Sequence, residues 1–222
     1  MEIFRVDDKP RDLTLRGHTG TQTRRRWMWQ WVTKTNEIGC DFAKAFNLIH
    51  WEFLLETLHA FGSGERWRNI IFLMLSTALS RVLLNGEPGR PFLHKRGVRQ
   101  GDPLAPMFFI LTLEPLHQIF LKATRDGLLS DISQHADRMH ASFYDDDTAI
   151  FLNPVKEEVN TVFQLLDFFG KVSGLAVNLN KCMVYPVQCG QLDLPELMSS
   201  CGCNLGSLPC SYLGLPLSFR NP

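Results

Sequence analysis

At 222 residues and 25.4 kDa the chain is long enough for one sizeable core. Apolar residues make up 45% and charged residues 21%, with 23 basic side chains against 23 acidic ones, which excludes a disordered chain, a collagen-like chain and a charged tail protein. Zero net charge leaves no bulk attraction for nucleic acid, so a polyanion would have to be held by a local patch or through metal ions.

The first 40 residues carry 8 Lys/Arg against 5 Asp/Glu, and the remainder carry 15 against 18. That first segment shows no sustained period and ends in Arg24-Arg25-Arg26-Trp27-Met28-Trp29-Gln30-Trp31. It reads as poorly structured, with the arginines and tryptophans as a candidate phosphate-binding and base-stacking patch. Lys34 to Cys40 is polar and interrupted by Gly39, which argues against a central strand before Asp41. Trp51, Leu54, Leu55 and Leu58 then fall at helical spacing before Gly62. A second helix is expected from about Glu65 to Leu79, with Trp67, Ile70, Ile71, Met74 and Leu75 inward. Arg81 to Asn85 and Pro91 to His94 read as strands joined by a turn at Gly86-Glu87-Pro88-Gly89.

Asp102-Pro103 can cap and start a long apolar helix running to about Arg125, kinked at Pro115 and closed by Gly127. Met139 to Tyr144 and Thr148 to Leu152 suit strands around an acidic tip. Asn153-Pro154 leads into a helix expected to bury Val155, Val159, Val162, Phe163, Leu166 and Phe169 and to end near Gly170 to Gly174. Short strands are expected at Ala176 to Leu179 and Met183 to Val187, then a Cys- and Gly-rich coil and the apolar Tyr212 to Leu217. The longest apolar stretches, Ile70 to Leu75 and Met107 to Leu111, are far below the ~20 residues of a membrane span. The N-terminus lacks the pattern of a secretory signal, so the expectation is an intracellular chain, cytoplasmic or nuclear, with reduced cysteines. The late cysteines, from Cys182 to Cys210, form no paired C-x₂-C units and suggest no zinc site.

Three consecutive carboxylates, Asp145-Asp146-Asp147, sit between the two β-suited runs. Such close like charges favour a divalent cation as compensator, and hard oxygen ligands suit Mg²⁺ or Mn²⁺; an exposed acidic turn is the bland alternative. Asp41 stands just before a short apolar turn and a strong amphipathic helix. If its strand lies beside the acidic hairpin, the carboxylates can bridge two metals for phosphoryl chemistry; read alone, Asp41 is a helix cap. Arg99-Gln100-Gly101-Asp102-Pro103-Leu104-Ala105-Pro106 is a glycine-containing polar turn before a buried helix, which suits phosphate or base contact and equally suits an ordinary loop.

The ordered set Asp41-Phe42-Ala43-Lys44-Ala45-Phe46, Arg99 to Pro106, Phe143-Tyr144-Asp145-Asp146-Asp147, Gly174 to Lys181 and Tyr212-Leu213-Gly214-Leu215-Pro216 resembles the reverse transcriptase of LINE-type (non-LTR) retrotransposons, particularly plant-type elements. The resemblance covers roughly residues 41 to 218. It implies an α+β fold: a palm of ferredoxin-like antiparallel sheet backed by helices over 41–222, with the start of a thumb connection and the fingers largely missing. It implies Mg²⁺ or Mn²⁺ held by Asp41, Asp146 and Asp147, with Asp147 the weaker or outer ligand. Phe46 would be the aromatic gate that selects deoxynucleotides, with core packing as its bland alternative. Arg99, Gln100, Gly101 and Tyr144 would contact nucleotide and template, Lys181 would protonate the leaving pyrophosphate, and Tyr212, Leu213 and Gly214 would grip the primer. The implied partners are an RNA template, a DNA primer and deoxynucleoside triphosphates.

Two positions and one segment depart from the family pattern. Asp145 stands where the family keeps a small or apolar residue, Asn47 where it keeps an acidic one, and residues 1 to 40 match none of its fingers. The expected activity is RNA-directed DNA synthesis, weak or absent in this isolated chain, with the added charge at Asp145 weakening it. The rival expectations are a non-catalytic remnant of a decayed element and a metal-dependent nuclease using the same carboxylates.

Overall fold

The computed structural model describes residues 35–42, 45–132, 140–144, 147–187, 202–207, 210–212 and 215–217. Contacts divide the chain into Met1–Val32, which lies outside those residues, and Thr33–Pro222. The expectation that the N-terminal segment is poorly structured, including the Arg24 to Trp31 patch, therefore falls outside the described residues up to 34.

Downstream the polar stretch before Asp41 is a strand after all. β1 (Thr35–Asp41) lies in the interior of a five-stranded sheet, between β7 (Asp147–Leu152) and β8 (Met183–Val187), with β6 (Ala141–Tyr144) and β9 (Asn204–Leu205) at the edges. Sequence alone argued against it because β1 has little apolar content, but a strand paired on both sides draws its hydrogen bonds from its neighbours. Those neighbours are strongly apolar: Ala149, Ile150, Leu152 and Val184 are fully buried. Gly39 sits opposite Ala149 on one side and Met183 on the other. The sheet is antiparallel except for β8 with β9, which run parallel.

Helices form one apolar layer with this sheet. α1 (Ala45–Leu48), α2 (Trp51–Ala60), α3 (Glu65–Ser76), α4 (Ala105–Arg125) and α5 (Lys156–Ser173) contribute Leu54, Leu58, Ile71, Phe108, Leu116, Phe120, Val159, Val162 and Phe169 to a single buried cluster. α2 ends before Gly62, which takes a positive φ, as its spacing foretold. α3 stops at Ser76, three residues early, and turns only Ile71 and Leu75 fully inward; Trp67 and Ile70 are about half exposed. α4 begins at Ala105 rather than Pro103. The Asp102 carboxylate instead accepts a 2.8 Å bond from the Leu104 N–H in the turn before the helix. The helix runs through Pro115 to Arg125. α5 leaves Val155 outside as its N-cap, 44% exposed, and ends on left-handed Gly174.

Between α3 and α4 the expected hairpin is nested. Leu79–Ser80 (β2) pairs with Phe92–Leu93 (β5), and Leu83–Leu84 (β3) with Glu87–Pro88 (β4). The tight turn is Asn85-Gly86, both at positive φ, rather than Gly86 to Gly89, because two consecutive left-handed residues match the right-handed twist of a hairpin. Ala176 to Leu179 forms no strand: Val177 makes one bridge to Phe42, and Leu179–Lys181 is a single 3₁₀ turn.

His140 is buried where β6 begins. Its Nδ1–H lies 3.1 Å from the Phe151 carbonyl, while its Nε2 and Glu158 Oε2 are buried with no partner among the described residues. Burial lowers its pKa below the usual 6.5, against smaller upward contributions from the Phe151 hydrogen bond, Glu158 and Asp131. The native state therefore prefers neutral imidazole. Stability from this group is full above about pH 6.5 and falls as acidification protonates the unfolded chain first. Urea midpoints should drop between pH 7.5 and 5.5 in the wild type and drop less in His140→Asn; equal drops would refute the assignment.

Candidate active site

Asp41 closes β1, and the β1–β7 register sets it directly opposite Asp147. Directly opposed residues of an antiparallel pair have Cα atoms about 4.5–5.5 Å apart. Asp147 is in turn opposite Tyr144 across the β6–β7 turn, whose two residues, Asp145 and Asp146, lie outside the described residues. Two of the three proposed metal-holding positions are thus neighbours in one sheet, although they are 106 residues apart in the chain.

The other flank of β1 brings up the lysine segment. β8 pairs with β1 up to Gly39 opposite Met183, and the same register continued two residues would put Lys181 opposite Asp41. There the chain leaves the ladder as the 3₁₀ turn Leu179–Lys181, and Phe42, buried to 2% exposure, bridges to Val177. Lys181 is exposed. Position 41 therefore stands between the acidic turn and the lysine turn.

Phe46, on α1, is half-buried, with its ring centroid 4.9 Å from that of Phe109 on α4 and tilted 34°. Its backbone is tied to the next motif: the Val98 N–H donates to the Phe46 carbonyl at 2.6 Å, and the Gly97 N–H to Ile49 at 2.7 Å. Arg99, Gln100 and Gly101 follow at once and are exposed in a turn closed by the Asp102 N–H on the Arg99 carbonyl; Gly101 has φ +87. A 240 Å³ cavity lies behind that turn, lined among others by Trp51, His94, Arg99, Asp102 and Phe108. Tyr212 pairs with Leu215 in a separate two-stranded hairpin, β10 (Cys210–Tyr212) with β11 (Leu215–Leu217); its turn, Leu213-Gly214, lies outside the described residues.

Sequence reasoning missed the residues that lock these motifs together. Trp51 was counted as a helix-face apolar residue, yet its indole N–H donates to the Gly97 carbonyl at 2.7 Å. Gly97 lies so close to the Asn47 backbone that a Cβ would meet Asn47 C at 2.6 Å. The signal was present in a glycine just before an apolar residue and the Arg99 motif, but only a long-range contact gives it meaning. Among the described residues no three His, Cys, Asp or Glu side chains gather around a cation position. What fits a hard cation is the opposed pair of aspartate positions where β1 ends and β7 begins.

Comparison with known proteins adds a separate line of observation. Residues 15–217 match the family model described as reverse transcriptase (RNA-dependent DNA polymerase), a match that starts upstream of the first motif at Asp41. The chain is 28% identical over 81 residues to the retrovirus-related Pol polyprotein of the type-1 retrotransposable element R2 from Popillia japonica, covering 36% of this chain and 13% of that protein. It is 25% identical over 148 residues to the corresponding Pol polyprotein of the type-2 element R2DM from Drosophila melanogaster, covering 67% of this chain and again 13% of the relative. The chain thus spans only about an eighth of these relatives' length. A structure of telomerase from Candida albicans, in complex with a fragment of telomeric RNA, superposes with a TM-score of 0.54 at 14% identity, covering 75% of this chain and 31% of that one. That likeness is one of fold.

Proposed function

The chain belongs to the reverse transcriptase (RNA-dependent DNA polymerase) family, as a domain of the LINE-type retrotransposon kind, and from that membership we propose that it performs RNA-templated DNA synthesis at the end of β1 around Asp41. The observation that carries this reading is the direct opposition of Asp41 and Asp147 in the β1–β7 register. Residues directly opposed in an antiparallel pair share a face of the sheet, so two carboxylates would be available to the same ions. Asp146, in the adjoining turn, would complete the set.

A pair of Mg²⁺ or Mn²⁺ ions at these carboxylates would activate the primer 3′-hydroxyl and stabilise the leaving phosphate oxygens. The protein's own residues would do the rest. The Lys181 ammonium would donate a proton to the departing pyrophosphate. Arg99, Gln100, Gly101 and Tyr144 would contact nucleotide and template. Phe46, braced by Phe109 rather than sunk wholly into the core, has an edge available to exclude a ribose 2′-hydroxyl. The hairpin carrying Tyr212, Leu213 and Gly214 would hold the primer. The sheet and its helices would form the palm, a ferredoxin-like layer that starts at Thr35 rather than at 41 and leads to the thumb.

Primer extension on an RNA template tests the reading directly. Incorporation of deoxynucleotides in Mg²⁺ or Mn²⁺ is expected, at a low rate because Asp145 adds charge where the triphosphate must lie. No extension with either metal would mean a non-catalytic remnant, and degradation of nucleic acid without added nucleotides would mean a nuclease.

A further inference from the structure

The nested hairpin and the strand leaving it carry a charge the chain does not have as a whole. Residues 81–99 hold five basic side chains, Arg81, Arg90, Lys95, Arg96 and Arg99, against the single acid Glu87, in a protein of zero net charge. All five are exposed, and none has an ion-pair partner among the described residues. On the helices, two of the exposed lysines do find partners, Lys122 with Asp126 and Lys171 with Asp167. Five uncompensated cations repel one another, a cost that a bound polyanion removes.

The hairpin also carries exposed apolar side chains. Leu83 and Leu84 at its tip are 68% and 73% exposed, and Phe92 is half exposed with its ring 5.8 Å from His94. His94 is held in place by Ser80, whose Oγ lies 2.7 Å from its Nε2. A two-stranded ribbon of this length is at best marginally stable in water. Its base, however, is fixed: His94 N–H donates to the Ala78 carbonyl, and Gly97 and Val98 are bonded to Ile49 and Phe46. The cations therefore approach the Arg99–Gly101 turn along one tethered segment, past the 240 Å³ cavity lined by His94, Arg99 and Trp51.

We propose that this segment is a track for single-stranded RNA, in which Arg81, Arg90, Lys95 and Arg96 hold consecutive phosphates of the strand leading to the Arg99–Gly101 turn. Charge complementarity with ring faces beside it is the pattern of single-strand binding, and the uncompensated charge favours a polyanion over a protein partner. The choice of RNA rests on the reverse-transcriptase reading; the surface itself does not.

The test is binding of a fluorescently labelled, unstructured 30-nucleotide RNA to the full chain, by anisotropy, from 50 to 200 mM salt. The comparison variant carries Arg81→Gln, Arg90→Gln, Lys95→Gln and Arg96→Gln. At about 0.7 units of log–log slope per phosphate contact, four contacts account for roughly a 50-fold fall in affinity over that range. The variant should lose that part of the salt dependence and bind more weakly than the wild type throughout the range, with the gap widest at 50 mM. A control with the same charge change on α4 and α5, Lys122→Gln, Arg125→Gln, Lys156→Gln and Lys171→Gln, should keep the wild-type slope. All these side chains are exposed, so both variants should fold, which circular dichroism checks. Equal slopes in wild type and hairpin variant, or an equal loss in the control, would overturn the track. Tighter binding of duplex DNA than of single-stranded RNA would overturn it too. Metal-dependent primer extension by the wild type is read in parallel: its absence counts against the polymerase reading alone, and an unchanged RNA slope counts against the track alone.

Discussion

Asp41→Asn should reduce primer extension by about 10³-fold, whereas Asp147→Asn should reduce it by only about 10- to 100-fold, as for a group that supports a metal ligand. The two positions face each other in the β1–β7 register, so mere proximity to the site predicts similar losses. In the proposed site their roles would differ: position 41, at the end of β1 next to the lysine turn, would bridge both ions, while Asp147 would hold them from outside. Stability should move the other way. Like charges directly opposite each other destabilise a strand pair, so either substitution should raise metal-free stability by about 0.2–1 kcal/mol. Millimolar Mg²⁺ should then raise the melting temperature of the wild type and have little effect on Asp41→Asn. Asp145→Ala should increase extension, because it removes charge without removing a ligand. Equal activity in Asp41→Asn and wild type would end the two-metal assignment.

What the sequence made legible was what depends on local pattern. α2 and its closing Gly62 follow from apolar residues at helical spacing, and the strand pair around the acidic turn follows from β-branched and aromatic runs; Asp147 already belongs to β7. Pattern failed wherever long-range contacts decide. Thr35–Asp41 is polar and contains glycine, yet it is a strand interior to the sheet because β7 and β8 supply its partners. Trp67 and Ile70 have inward spacing on α3, but no element among the described residues buries them, and they stay half exposed. The turn of the hairpin was misplaced because Gly86-Glu87-Pro88-Gly89 is rich in turn residues; Asn85-Gly86 won because both can take positive φ. For the candidate site the ordered motifs gave the residue types, and only the sheet register showed that positions 41 and 147 meet.

Among the glycines whose surroundings are described, Gly174→Ala should be the most destabilising substitution, with Gly97→Ala close behind, each costing about 3 kcal/mol or more. Both glycines have positive φ, +84 and +80, which alone costs an alanine roughly 1–2 kcal/mol. What sets them apart is backbone in the way: a Cβ at Gly174 would clash with the Leu48 carbonyl and lie 2.8 Å from His50 Cδ2, and one at Gly97 would lie 2.8 Å from Asn47 Cα. Together they clamp residues 47–50 from two sides. The clamp is reinforced by the His50 N–H on the Ser173 carbonyl at 2.8 Å and by Trp51 on Gly97. Gly62 and Gly127 supply the comparison, since they share the positive φ but have open space around them. Gly62→Ala and Gly127→Ala should cost only the strain, about 1 kcal/mol, or some 2–4 °C in melting temperature for a domain of this size. Gly97→Ala and Gly174→Ala should lower it about threefold further. The clamped segment joins Phe46 to the Arg99–Gly101 turn just downstream of Asp41, so in whatever fraction stays folded these two variants should also lose extension activity, while Gly62→Ala and Gly127→Ala keep theirs. A uniform small effect at all four glycines would mean that the strap yields, and that the spacing between the Asp41 strand and the Arg99 turn is not held by backbone contact.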